Sequence, residues 1–426
     1  MQVTFPYGEE SLTFQVDEDL DYKVIRAKSE EPYEDPKKEI EEAISHPTFS
    51  QPLQKILEDT DTGKVCIVIS DSTRPVPSKS ILEVILKICE QKNIPDHRIQ
   101  ILIATGLHRK TTPDELKKML GEDILLKYDI INHVAEDEDN LKYLGENSFD
   151  TPVYINKHYI DASVKIITGY VEPHFFAGYS GGRKAIVPGV AGSETILQNH
   201  SPKNIASPYS RFGVLDGNPI YEDALDTAKM KEVIPDFMVN VCINPDHQIT
   251  KVVAGGIQAH YELVQYQDNL VFDDISDPYD VVITTNGGYP LDLNLYQAVK
   301  SMAIGELAVK EGGTIISINE CRDGVGQEKF DELINMDMSP QELFEKVTNR
   351  EIWCKDSWEI QVLTRVLSIS DVYVISEMDE EELGTIGLKY AESVEKAIER
   401  SIQKYGRDLR ILILPDGPMA IPKLNG

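Results

Sequence analysis

Four polar segments follow short apolar runs in this chain: "SDSTRPVP" (70–77), "ATGLHRKT" (104–111), "GYVEPHFF" (169–176) and "TTNGGYPLDLNLYQAVKS" (284–301). Their residue types suit proton transfer and anion binding. Arg74 offers a planar fork for a carboxylate or phosphate, beside the carboxylate of Asp71 and the hydroxyls of Ser70, Ser72 and Thr73. His108 and His174 carry imidazoles, whose proton affinity near neutral pH makes acid–base work their natural role. Each has a plainer reading. The first segment equally describes a capped helix start, and a lone loop histidine is usually ordinary. Pro75 and Pro77, however, stiffen the first loop more than a cap requires.

The third segment continues as "AGYSGGRKAIVPGVAG" (177–192). Gly178, Gly181 and Gly182 there suggest backbone N–H groups free to approach a phosphate. The segment is no P-loop, because Ala185 follows Lys184 where a hydroxyl is needed, and no dinucleotide fingerprint is present. Lys184, set among glycines and apolar residues, is a candidate amine nucleophile. His200 in "ETILQNHSP" reads as a helix C-terminal histidine, favourable with the helix dipole. No HExxH, acidic ladder or cysteine set accompanies it, so a metal held by protein atoms alone is not expected. In "NLYQAVKSMA", Tyr296 and Lys300 lie four residues apart on one helical face, with Gln297 three before Lys300. Trp353 and Trp358, the two tryptophans, read as packing residues.

The elements that must position these groups alternate in type. A hairpin is expected at "MQVTFPY", "GEE", "SLTFQV", then a helix after the charged stretch at 28–44. Strands are expected at 65–71, 98–106, 128–133 and 163–171, and again at 281–288, 313–320, 371–378 and 409–417, with amphipathic helices between. Thr112 reads as an N-cap ahead of Pro113. The pattern predicts an α/β protein of two α/β domains with mostly parallel sheets. The acidic seam "NLVFDDISDPYD" (269–280) divides an N-terminal domain, 1–270, from a C-terminal one, 278–426. Functional groups of such sheets sit beyond the carboxyl ends of the strands, where all four segments fall. The active site is expected in the cleft between the domains, with a hinge near 266–280.

Bulk composition narrows the function classes. A net charge of -30 argues against a duplex nucleic-acid binder, which carries a basic stripe. It also means that an anionic substrate needs locally placed Arg or Lys. The N-terminus lacks the pattern of a signal peptide, and no apolar run reaches the ~18 residues of a membrane span. The five cysteines (Cys66, Cys89, Cys242, Cys321, Cys354) are scattered with no CxxC, as in a reducing compartment. The expected location is cytoplasmic, with no membrane or nucleic-acid partner.

Taken together and in order, "DSTRPVP", "ATGLHR", "EPHFFAGYSGGRKAIVPGVAG", "NH" at 199–200 and "LYQAVK" resemble the lactate racemase family, over essentially the whole chain. The "PHFF" and "GGRKAIVPG" blocks are the specific ones. The resemblance implies a racemase interconverting D- and L-lactate through a nickel-pincer nucleotide, the nickel(II) pyridinium-3,5-bisthiocarboxylic acid mononucleotide. It implies a tether from Lys184 to that cofactor, with His200 completing the nickel coordination, and hydride passing to and from the cofactor while His108 and His174 alternate as acid and base. Asp71, Ser72, Thr73 and Arg74 would hold the nucleotide, with the glycines giving it room near the backbone. Arg74, Gln297 and Lys300, with Tyr296, would bind the substrate. Other proteins would have to make the cofactor. Two alternatives stand beside this reading: a racemase or epimerase of another 2-hydroxy acid, and a non-catalytic nickel-nucleotide or phosphate-binding protein. A nicotinamide-dependent dehydrogenase lacks its GxGxxG.

Overall fold

The computed structural model describes residues 1–28, 30–60 and 62–424. The expected α/β architecture with mostly parallel sheets is present, in two compact units. One comprises residues 29–200 and 207–268, the other 1–28, 201–206 and 269–426.

The first unit is built on a six-stranded sheet in the spatial order Ile249–Gly255, Phe237–Ile243, Val164–Tyr170, Val65–Ser70, Ile99–Ala104, Asp129–Asn132. All neighbours are parallel except Phe237–Ile243 with Ile249–Gly255. Val65 to Ile69 are all buried, as expected of a strand covered on both faces rather than one with alternating polarity. The chain moves outward from Val65–Ser70 in one direction and from Val164–Tyr170 in the other. A crevice therefore opens between the carboxyl ends of these two adjacent strands. The helix Ser78–Gln91 follows the first of them, and the helix Pro113–Leu120 starts with the expected Thr112 cap, completed as a capping box with Glu115. The hairpin Leu141–Glu146 with Pro152–Asn156, and the pair at 237–255, were not anticipated from sequence.

The second unit carries an all-parallel sheet in the order Lys389–Tyr390, Ser370–Ile375, Val309–Ile318, Tyr279–Thr285, Arg410–Leu414, Asp21–Val24. The expected N-terminal hairpin forms from Gln2–Tyr7 and Glu10–Gln15. Its Val3, Phe5 and Phe14 pack against Ile283, Ile316 and Ile411 of this sheet, with Ile398 of the helix Val394–Tyr405 in the same core. Among the described residues, no helix is long and apolar enough to cross a membrane, and the five cysteines are free thiols.

Candidate active site

The loop after Val65–Ser70 brings the first group together. Asp71 accepts a hydrogen bond from Nδ1 of His108 at 2.7 Å through Oδ2. Its Oδ1 accepts from the Thr73 hydroxyl at 2.7 Å and the Thr73 N–H at 3.2 Å. Arg74 donates to the Thr73 carbonyl and hydroxyl, each at 3.0 Å, which holds its guanidinium beside the pair. Burial opposes the charge on Asp71, but His108, Arg74 and the Thr73 hydroxyl outweigh it, so its carboxyl sits below the ordinary range. The carboxylate side chain is 6% exposed while that of His108 is 23% exposed, so the imidazole is the partner that reaches solvent. An ionised carboxylate can only accept. His108 therefore keeps its proton on Nδ1, and Nε2 carries the lone pair.

The second group follows the neighbouring strand. After Tyr170 the chain folds back on itself, pairing Pro173 with Tyr179 and His174 with Gly178. Ser180 closes this loop by donating to the Tyr170 carbonyl and accepting from the Glu172 N–H, both at 2.9 Å. His174 is buried, and its Nδ1 accepts from the Ala177 N–H at 3.3 Å, so in the neutral ring the proton lies on Nε2. The two histidines are thus held in opposite tautomers.

Phe176 is the hub of this group. The ring of His174 lies 4.6 Å from its centroid, the ring of His200 5.1 Å away edge-on, and Nζ of Lys184 5.7 Å over its face. Lys184 rides on the short turn Gly182–Ala185, and His200 caps the helix Ser193–Asn199 at its C-terminus, as expected. Burial, with the nearby Lys184 charge adding to it, lowers the His200 imidazole to about 3. It therefore offers a neutral ring nitrogen at neutral pH, the form in which histidine binds a metal.

Two of the glycines lie too close to their neighbours for a side chain. A side chain on Gly181 would meet Oδ1 of Asn240 at 2.8 Å, and one on Gly182 the His260 ring at 2.8 Å. Both have positive φ, 71° and 52°. The Gly182 N–H is already given to Asn240 at 2.7 Å. These two positions let the Lys184 turn pack closely against the sheet.

The remaining candidates lie in the other unit, on the helix Leu295–Glu306, which is capped by Asn294. Lys300 donates to Oε1 of Gln297 at 2.6 Å. The Tyr296 hydroxyl accepts from Nε1 of Trp358 at 2.9 Å, and Trp358 is buried. Asn286 ties the strand end to this helix through a 3.0 Å bond to the Gln297 carbonyl.

Arg183, Asn218, Tyr221 and Asp223 carry no signal in the sequence that marks them as part of the site. Arg183 is fully buried, donates to the Ala177 carbonyl at 2.7 Å, and lies 4.5 Å over the Tyr221 ring. "GNPIYED" announces a capped helix start but not what its side chains reach.

Residues 7–213 match the lactate racemase N-terminal domain and residues 275–421 the lactate racemase C-terminal domain. The chain is 34% identical to the lactate racemase of Thermoanaerobacterium thermosaccharolyticum over 425 residues, 98% of each chain. It is 34% identical to that of Lactiplantibacillus plantarum over 429 residues, 99% of each. The structure of the lactate racemase apoprotein from the first organism superposes with a TM-score of 0.90, covering 99% of this chain and 100% of that one. A Thermotoga maritima protein, 18% identical with a TM-score of 0.72, shares the fold.

Proposed function

The chain belongs to the lactate racemase family and is an isomerase, and from that premise we propose that it interconverts D- and L-lactate on a nickel-pincer nucleotide tethered to Lys184. The observation that carries the reading is the pair of histidines placed after parallel strands of one sheet, one of them oriented by a buried carboxylate. A racemase needs proton transfer on two faces of its substrate, and a simple binding protein needs neither.

The donor set fits the group. His200 presents a neutral imidazole beside the Lys184 amine, and among the described residues no three His, Cys, Asp or Glu side chains converge as a metal site. His200 would be the protein's ligand to nickel and Lys184 its covalent anchor. When bound, the cofactor supplies a hydride acceptor for the substrate α-carbon and a donor for its return.

The chain's own residues do the proton work. Nε2 of His108 takes the hydroxyl proton of one enantiomer, and the Asp71 carboxylate stabilises the imidazolium that results. His174, as an imidazolium, gives its Nε2 proton to the oxygen of the planar keto acid after it has turned and is left neutral. Starting from the other enantiomer, with His174 neutral and His108 protonated, the two exchange roles, and proton exchange with water resets both rings. Arg74, held rigidly by Thr73, faces the carboxylate and offsets the overall negative charge. From the resemblance, Lys300 and Gln297 are proposed to bind substrate, and Ser72 and Thr73 to hold the nucleotide.

The test is racemisation, followed by polarimetry from each pure enantiomer, with protein co-expressed with cofactor-making enzymes. Nickel content and intact mass are read on the same sample. A panel of 2-hydroxy acids separates lactate from its relatives: activity on another acid with none on lactate overturns the substrate assignment.

A further inference from the structure

The helix Pro219–Lys229 touches the bearer of every group around Phe176. Its N-cap, Asn218, uses Oδ1 to accept from the Ile220 and Tyr221 N–H groups, and its amide donates to the carbonyls of Phe176 and Val214, both at 2.9 Å. Three residues on, the Tyr221 ring supports the Arg183 guanidinium, the residue before Lys184. On the adjacent face, Ile220 and Asp223 receive Asn199, the residue before His200. The Asn199 amide donates to the Ile220 carbonyl at 3.0 Å and to Oδ2 of Asp223 at 2.8 Å. Spacings of three residues put each pair on one side of the helix.

Asp223 is buried and its carboxylate also accepts from Asn147 and from Thr151. Among the described residues no cation pairs with it. A buried charge satisfied only by neutral donors is a costly way to gain stability, since apolar packing does that as well. What an acceptor-only group provides is orientation, because it dictates where three donors point.

We propose that Asn218, Tyr221 and Asp223 are positioning residues that hold His174, Lys184 and His200 in one frame, with Asp223 setting the His200 imidazole through Asn199. This rests on the reading of His200 as the nickel ligand. Groups behind a metal-binding histidine commonly govern affinity by 10–100-fold.

Asn199→Ala is the direct test, since it removes the bonds to the Ile220 carbonyl and to Asp223. Asp223→Ala removes the acceptor itself and carries the test if the first variant does not fold. Three readouts are taken: the rate at which nickel leaves loaded protein in the presence of a chelator, the intact mass of the Lys184 adduct, and the His200 ring resonances of cofactor-free protein. We expect nickel to leave ~10–100-fold faster with the adduct retained, and the His200 resonances to shift. Unchanged nickel release with unshifted resonances in a folded variant overturns the proposal. His200→Ala is run alongside. If that variant keeps nickel as the parent does, the ligand reading fails and this proposal with it. If it loses nickel while the other two variants keep it, positioning alone is refuted.

Discussion

Replacing Asp71 with asparagine changes which nitrogen of His108 carries the proton, and the structure specifies the direction. Oδ1 of Asp71 accepts from both the hydroxyl and the N–H of Thr73, at 2.7 and 3.2 Å, so the amide oxygen of Asp71→Asn takes that position. The NH2 then lies where Oδ2 was, 2.7 Å from Nδ1 of His108. A donor there makes Nδ1 an acceptor and moves the ring proton to Nε2, which turns the base into a donor. The variant also loses the negative charge that stabilises the imidazolium. Such a swap of tautomer behind a catalytic histidine is worth about 10⁴-fold in kcat in a serine protease, and acid–base groups in general contribute ~10²–10⁴. We expect kcat for racemisation to fall by ~10²–10⁴-fold, with the Michaelis constant and nickel content near those of the parent. Polarimetry with each enantiomer measures the rate, and metal analysis on the same sample separates lost chemistry from lost cofactor. A variant that racemises within about threefold of the parent would refute the assignment of His108 as the base that Asp71 orients.

Lys184→Ala should leave the melting curve intact and abolish the cofactor adduct in intact mass spectra; an adduct of unchanged mass would remove Lys184 from the reading. His174→Ala should lower racemisation by ~10²–10⁴-fold while nickel content stays near the parent's, as expected of an acid–base group and not of a ligand. Lys300→Ala should raise the Michaelis constant for lactate and lower turnover, since it removes the cation that Gln297 orients; parent-like kinetics would take the helix Leu295–Glu306 out of substrate binding. Acid stability has a definite sign. Burial lowers His133 from 6.5 to about 4, with Nε2 donating to the Ala191 carbonyl. Below pH 6.5 the unfolded chain takes up a proton that the folded one refuses, so stability falls as pH drops toward 4, by roughly 3 kcal/mol from this group. Urea midpoints at pH 7 and pH 4.5 should diverge less in His133→Gln than in the parent.

Local features of this protein are legible along the chain because neighbours within a few residues decide them. The β-branched runs at 65–70 and 99–104, the Thr112–Pro113 helix start and the N-terminal hairpin form where residue type and spacing place them. The candidate histidines and lysine were visible for the same reason, as polar groups just past apolar runs. What they do to one another was not. Asp71 reads as a nucleotide-holding residue in sequence, and only folding brings it to His108, 37 residues away. Asp223 receives Asn147 across 76 residues and Asn199 across 24, from a helix whose sequence signals nothing beyond its own cap. The hairpin's destination was equally hidden, since an amphipathic face specifies that it must be covered and not by what. Tertiary packing supplies both answers: parallel strand order sets which strand ends are adjacent and so brings Asp71 to His108, and helix packing brings Asn147 and Asn199 to Asp223.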